Sequence, residues 1–222
     1  MFFDPLKIVL ASHNKGKIGE FRLLFSPYPI EIVPQDEFGI ACVEEPFSSF
    51  LENALHKARH ASRLSGQPAI ADDSGICAKA LGNLPGVLSA RFAGESRSDK
   101  DNNQALNQLL ANESDKSVFY YCCLVFITNP QDPTPLIAEG RWEGQWITGP
   151  RGTEGFGYDP HFYLVEHGKT VAQLTTKEKN RQSHRAKAMR SLIEKLGFLA
   201  VNVGDSEGSF CRNVLVCGGF HR

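Results

Sequence analysis

The stretch Lys7-Ile8-Val9-Leu10-Ala11-Ser12-His13-Asn14-Lys15-Gly16-Lys17 sets the fold class of this chain. Its first five residues form an apolar run typical of a buried strand, and the next six place small polar groups, a glycine and lysines at a helix start. The apolar residues Ile18, Phe21, Leu24 and Phe25 then fall on one helical face. A strand that leads directly into an amphipathic helix predicts an α/β protein.

The junction between this strand and this helix is suited to binding phosphate. The N–H groups of a first helical turn lack intrahelical acceptors, the helix dipole favours an anion, and a lysine adds a full charge. The segment is not a P-loop, because Ile18 follows Lys17 and no glycine precedes Gly16 within it. Taken alone, an ordinary strand-to-helix turn with solvated lysines remains the alternative.

Composition and charge restrict the class of protein. The 222 residues are 41% hydrophobic and 22% charged, which suits one domain or two closely joined lobes. A net charge of −1 provides no overall basic field for nucleic acid or an anionic membrane. No signal-peptide core is visible and no apolar run approaches the roughly 20 residues of a membrane span. We therefore expect a cytoplasmic protein with a small-molecule partner, no nucleic acid and no membrane.

Strand-like and helix-like segments alternate along the rest of the chain. Ser49 with Glu52 three residues later is a capping-box signature that begins a helix over 49–65, with Lys57 on its solvated outer side. A polar helix over 98–111 and two long strands over 117–128 and Leu136–Trp146 follow as scaffold.

A pair of acids follows the apolar run 68–71. We expect that strand to end in a turn, Asp72-Asp73-Ser74-Gly75, where the two carboxylates can hold Mg²⁺ and one can take a proton from an attacking water. Glu45, just before Pro46, is a third acid that can turn inward. An acidic turn satisfied by its own backbone and a solvated acidic loop are the structural alternatives.

The loop Gly152-Thr153-Glu154-Gly155-Phe156-Gly157-Tyr158-Asp159-Pro160 has its glycines in the reverse order of the dinucleotide fingerprint. Its glycine-flanked Phe156 can offer a ring face to a nucleobase while Asp159 accepts hydrogen bonds at the base edge. A flexible loop anchored by its aromatic residues is the alternative. Downstream, one amphipathic helix is predicted over 176–196, and its early cations Lys179 and Arg185 would be explained by an external anion.

Together these segments resemble the inosine triphosphate pyrophosphatase family, over about residues 7–196. The matching motifs are Ser12-His13-Asn14-Lys15-Gly16-Lys17 with Glu20-Phe21, Glu45, Phe50-Glu52-Asn53-Ala54 with Lys57-Ala58, Ala71-Asp72-Asp73-Ser74-Gly75, Pro85-Gly86 with Ser89-Ala90-Arg91, Gly155-Phe156-Gly157-Tyr158-Asp159-Pro160 and Ser183-His184-Arg185. His13 departs from the family, which commonly carries a smaller residue at that position.

The resemblance implies an elongated mixed sheet flanked by helices, in two lobes around a central active-site cleft, and a homodimer. It implies Mg²⁺-dependent hydrolysis of non-standard purine nucleoside triphosphates (ITP, dITP and XTP) to the monophosphate and pyrophosphate. The resemblance implies that residues 12–17 bind the triphosphate and that Lys17 also stabilises the leaving group. It implies that Asp73 is the general base and a metal ligand, and that Glu45 is a second metal ligand. The expected substrate contacts are Ser74, Phe156, Gly157, Tyr158, Asp159, Lys179, His184 and Arg185.

Two other functions share most of these features. A related pyrophosphatase acting on pyrimidine or modified nucleotides would need much the same phosphate and metal residues, and a nucleotide-binding sensor would keep the pocket without turnover. We predict a catalytic domain over 1–196 and a C-terminal extension over 197–222. For that extension we favour disorder or loose packing over an edge strand or an oligomer contact.

Overall fold

The computed structural model describes residues 5–95 and 98–197, which form one sheet with α-helices on both faces. The strands described there are β1 Leu6–Leu10, β2 Ile30–Pro34, β3 Ala69–Ala78, β4 Ser117–Ile127, β5 Leu136–Trp146, β6 Phe162–Leu164 and β7 Lys169–Thr170. The α-helices described there are α1 Lys15–Phe25, α2 Phe50–Ser65, α3 Asp99–Leu110, α4 Thr176–Gln182 and α5 His184–Lys195. The sheet order is β2-β1-β3-β4-β5-β6-β7, parallel among β2, β1 and β3 and antiparallel from β3 onward. The predicted mixed α/β fold is confirmed.

Strand β1 supplies the core on both sides of the sheet. Because successive side chains of a strand point to opposite faces, Ile8 and Leu10 pack with α1 and α5, whereas Val9 and Ala11 pack with α2. A separate apolar cluster joins α3 to β5 and β6 at the other end of the sheet. The core is thus divided between two ends of one sheet, in agreement with the predicted two lobes.

The unequal lengths of β1 and β3 create an open sheet edge. Strand β3 pairs with β1 only at Ala69 and Ile70, but it pairs with β4 along its full length. The predicted turn at 72–75 is therefore wrong: these residues lie inside β3, because the antiparallel partner satisfies their backbone hydrogen bonds and the strand continues. Beyond Ile70, the side of β3 that faced β1 borders a cleft.

The predicted single helix over 176–196 is also wrong, because it is interrupted at Ser183. This residue is extended (φ −62°, ψ 157°), and its hydroxyl accepts a hydrogen bond from the N–H of Ala186. Ser183 therefore ends α4 and acts as the N-cap of α5. The interruption places His184 and Arg185 in the first turn of a new helix.

The other predicted elements agree with the structure within a residue or two at their ends. Ser49 caps α2 and Gly66 ends it with a left-handed φ of 69°. Residues 152–160 form a loop between β5 and β6. The predicted extension 197–222 lies outside the described residues, except for Gly197. Among the helices in the described ranges, none is long and apolar enough to cross a membrane.

Candidate active site

A cleft of about 380 Å³ opens beside the free edge of β3, between the two parts of the core. Most of the predicted site residues line it: Ser12, His13, Asn14, Lys17, Glu45, Asp72, Asp73, Ser74, Phe156, Gly157, Tyr158, Asp159, Lys179, His184 and Arg185. Lys15 and Gly16 are not in its lining. Its volume is within the range of small-molecule sites.

The start of α1 has the geometry expected of an anion site. Asn14 is the N-cap, and its side-chain oxygen accepts a hydrogen bond from Lys17 N–H at 3.0 Å. In the described part of the chain, the N–H groups of Lys15 and Gly16 have no acceptor. His13 lies beside this turn, with its Nδ1 2.8 Å from the carboxylate of Asp36. The side chain of Lys17 extends from the turn into the cleft.

Asp72 holds the two main cations of this region in place. Its Oδ2 lies 2.8 Å from Lys17 Nζ and 3.7 Å from Arg185 Nε, and it accepts a hydrogen bond from the hydroxyl of Ser74. Although burial alone would raise the pKa of Asp72, the charges of Lys17 and Arg185 hold that pKa well below its usual range. Asp72 is therefore an anion at neutral pH. Its role as a metal ligand stays a prediction.

Asp73 has a different environment, although it is the next residue. The amide of Asn53 donates to its Oδ2 at 3.1 Å, and Lys57 Nζ lies 3.8 Å from its Oδ1. Burial, reinforced by the negative charge of Glu45, raises the pKa of Asp73 to about 6. A carboxylate with this pKa is partly protonated in mildly acidic solution and is available as a proton acceptor at neutral pH.

The two aspartates reach one cleft from opposite faces of the sheet. Neighbouring strand residues alternate, so Asp72 meets α1 and α5, whereas Asp73 meets α2. Both can line the same cleft because β1 does not cover this part of β3.

Lys57 was expected on the solvated face of α2, but its side chain lies in the cleft. In the structure it lines the cleft, pairs with Glu45 at 2.5 Å and approaches Asp73. The nearby carboxylates outweigh burial and raise its pKa, so Lys57 stays charged. Its spacing of four residues from Asn53 on α2 was the available signal, since both residues then face the same side.

The acidic pair Glu45 and Asp73 suits a hard divalent cation. Both carboxylates approach the ammonium group of Lys57, which shows that a positive charge is accommodated between them. Within the described residues there is no cluster of three or more His, Cys, Asp or Glu suited to a metal. Mg²⁺ commonly takes only one or two protein carboxylates and completes its shell with water and substrate phosphates. The donor set fits Mg²⁺ in that mode.

The loop before β6 presents an aromatic ring to the cleft. Phe156 is 41% exposed, and Lys179 Nζ lies 4.5 Å from its ring centroid. Asp159 is buried, and its carboxylate accepts hydrogen bonds from Phe156 N–H, Tyr120 Oη and Lys179 Nζ. Both carboxylate oxygens are thus engaged by the protein, which makes Asp159 an anchor of the loop. The hydroxyl of Tyr158, the other aromatic residue of this loop, donates to the carbonyl of Ser89.

The cations that were expected to need an external anion have protein partners instead. Arg185 donates to the carboxylate of Glu20 and to the hydroxyl of Ser74, and Lys179 pairs with Asp159 at 2.8 Å. Lys179 also lies in the last turn of α4 and not at its start. Glu20 therefore holds Arg185 in place in the cleft. It lies in the motif shared with the family, but no role was predicted for it.

His184 enters the cleft as a neutral group. Its ring stacks on Tyr120 with centroids 4.8 Å apart. Burial, with the positive charges of Arg185 and Lys179, lowers its pKa well below the usual value. Its Nδ1 is buried and has no hydrogen-bond partner in the described structure. His184 can therefore donate or accept a hydrogen bond but does not add charge at neutral pH.

Comparisons with known proteins show which family this chain belongs to. A profile of the Ham1 family matches residues 8–195. Curated relatives named dITP/XTP pyrophosphatase include one from Neisseria meningitidis serogroup B, 57% identical over 193 residues, or 86% of this chain and 97% of the relative. Another, from Ralstonia nicotianae, is 54% identical, with coverage of 86% and 96%.

Solved structures show the same relation. The HAM1 protein of Coxiella burnetii superposes with a TM-score of 0.83 at 44% identity, covering 86% of this chain and 98% of that one. The Ham1 protein of Staphylococcus aureus gives 0.78 at 36% identity, with the same coverage. The profile match, the relatives and the shared fold lead to one conclusion: this chain belongs to the Ham1 family.

Proposed function

We propose that this protein hydrolyses non-standard purine nucleoside triphosphates (ITP, dITP and XTP) to the nucleoside monophosphate and pyrophosphate, with Mg²⁺ as cofactor. The observation that carries the proposal is the single cleft that joins three parts. It contains a helix start with Lys17, a carboxylate of raised pKa in Asp73, and an exposed aromatic ring in Phe156. The relatives named dITP/XTP pyrophosphatase support the same substrate class.

The reaction assigns a proton-transfer role to Asp73. A water oxygen attacks the α-phosphorus, a new P–O bond forms, and the bond from that phosphorus to the bridging α–β oxygen breaks. Asp73 accepts the proton of the attacking water, which suits a carboxylate held by Asn53 with a pKa of about 6. The electron pair of the broken bond leaves on pyrophosphate, and no covalent enzyme intermediate is needed.

The chain itself stabilises the leaving charge. Asp72 holds the ammonium group of Lys17 at 2.8 Å. This group and the N–H groups at the start of α1 are hydrogen-bond donors preorganised to bind a polyphosphate. Glu45 and Asp73 would hold the Mg²⁺. When bound, this ion neutralises phosphate charge and polarises the phosphorus centre.

Selection between purine bases depends on the hydrogen-bond donors of the cleft near Ser74 and Phe156. Hypoxanthine and xanthine carry an acceptor at position six, where adenine carries a donor. The Nε–H of Arg185 is buried and has no hydrogen-bond partner within the described residues. Such a donor would be left unpaired against adenine, at about 1–3 kcal/mol. Guanine shares the acceptor, so its exclusion depends on contacts with its amino group.

Product identification tests the proposal. Purified protein is incubated with ITP, dITP, XTP, ATP, GTP and dTTP, with and without Mg²⁺, and the products are separated by ion exchange. We expect monophosphate and pyrophosphate from the first three substrates and only with Mg²⁺. Orthophosphate release, equal cleavage of dTTP, or binding of ITP without turnover would each contradict it. We also infer a homodimer, which sedimentation equilibrium at micromolar concentration would test.

A further inference from the structure

Helix α3 makes two hydrogen bonds to Gly157 in the loop of residues 152–160. The carboxylate of Asp99 accepts a hydrogen bond from Gly157 N–H at 2.7 Å, and the side-chain amide of Asn103 donates to the Gly157 carbonyl at 3.0 Å. Asp99 and Asn103 are four residues apart on α3 and therefore lie on one helical face. We call this pair of contacts the α3 clamp.

The α3 clamp acts on the peptide next to the exposed aromatic ring. Gly157 has a left-handed φ of 63°, and glycine has more backbone freedom than any other residue. The preceding N–H, that of Phe156, is bound to Asp159 at 3.1 Å. The backbone on both sides of the Phe156 ring is thus anchored, while the ring itself stays 41% exposed.

An exposed ring on an anchored backbone is preorganised to stack on a flat ligand. Stacking on a mobile loop would require the loop to be ordered when the ligand binds, which weakens affinity. We propose that Asp99 and Asn103 are positioning residues that hold Phe156 ready to receive the purine base. This inference rests on the proposed function, because it takes the base to be the ligand of Phe156.

The test distinguishes the effect of the hydrogen bond that Asp99 accepts from the effect of its negative charge. Asp99→Ala removes the acceptor for Gly157 N–H, whereas Asp99→Asn retains an oxygen acceptor without the charge. Lys100→Ala is the control, since Lys100 is exposed on the same turn and outside the cleft lining. Asp99 is itself exposed, so these variants are expected to fold. KM and kcat for dITP are measured, together with the Kd of IMP by calorimetry and amide exchange of Gly157 by NMR.

We expect Asp99→Ala to raise KM and the Kd of IMP about threefold to tenfold, the usual effect of one hydrogen bond. Its kcat should change less than twofold, and exchange of the Gly157 amide should accelerate. Asp99→Asn and Lys100→Ala should stay within about twofold of the wild type, on the same basis. Unchanged KM and Kd in Asp99→Ala, or equal effects in Asp99→Asn and Asp99→Ala, would overturn the inference. A wild-type protein that does not hydrolyse dITP would instead refute the proposed function, and IMP affinity would still decide the role of the clamp.

Discussion

Replacing Asp73 by asparagine should remove activity and, at neutral pH, stabilise the fold. The activity loss should be about 10²- to 10⁴-fold in kcat, the usual contribution of a general base. The gain in stability follows from the raised pKa of Asp73, because its buried carboxylate is held in the charged form above pH 6 against a desolvation penalty. Asparagine has nearly the same shape and carries no charge, and its oxygen can still accept the hydrogen bond from Asn53.

The size and pH range of the gain in stability follow from the linkage between proton binding at Asp73 and folding. Raising the pKa from 3.8 to about 6 corresponds to about 3 kcal/mol of stability that the wild type loses as the pH rises between those values. The folded state binds the proton more tightly, so the wild type is favoured below pH 4 and penalised fully above pH 6. The advantage of Asp73→Asn should therefore be about 3 kcal/mol at pH 8 and about half of that at pH 5.

Urea denaturation at pH 5 and pH 8, in buffer containing a chelator, measures this difference directly. Asp72→Asn is the matched comparison, because the pKa of Asp72 is lowered by Lys17 and Arg185 and its loss should destabilise the protein at both pH values. A folded Asp73→Asn variant that is no more stable than the wild type at pH 8 would refute the argument from burial. Near wild-type turnover by that variant would refute Asp73 as the base. The wild-type kcat/KM should rise with pH through about 6 and then level off.

Three further substitutions test other parts of the site and scaffold. Arg185→Lys keeps a positive charge beside its carboxylate partners but loses the planar fork, so the ratio of kcat/KM for dITP over dATP should fall; an unchanged ratio would argue against base recognition there. Phe156→Leu should raise the KM for dITP about tenfold without changing the melting temperature, because a stacking surface is lost from an exposed position; an unaltered KM would contradict this. Gly140→Ala should cost about 3 kcal/mol or more in urea denaturation, because its Cβ would lie 1.9 Å from the His184 carbonyl. Gly149→Ala, whose Cβ meets nothing within 4 Å, is the control.

Local patterns predicted the elements whose signals are contained within a few residues. The cap at Ser49 and the glycine at Gly66 bound α2 as expected, and the strand-to-helix junction at 7–17 formed as predicted. The interruption at Ser183 was missed because serine is tolerated within helices, and only its extended backbone shows that it is a cap. The turn at 72–75 was wrong because its residues favour turns locally, whereas pairing with β4 keeps them extended.

The sequence alone determined the α/β class, the position where α1 starts, and most of the residues that line the cleft. The class and the helix start follow from hydrophobic period and helix caps, which are read over short distances along the chain. The cleft residues follow from motif chemistry together with the resemblance to the inosine triphosphate pyrophosphatase family. The partners of those residues were decided by the tertiary structure. Burial and neighbouring charges give Asp72 and Asp73 opposite pKa shifts, although the two are adjacent in sequence. The cations come from α1, α2 and α5, and the carboxylate of Glu45 comes from the loop before α2. Only the packing of these segments around β3 brings them there.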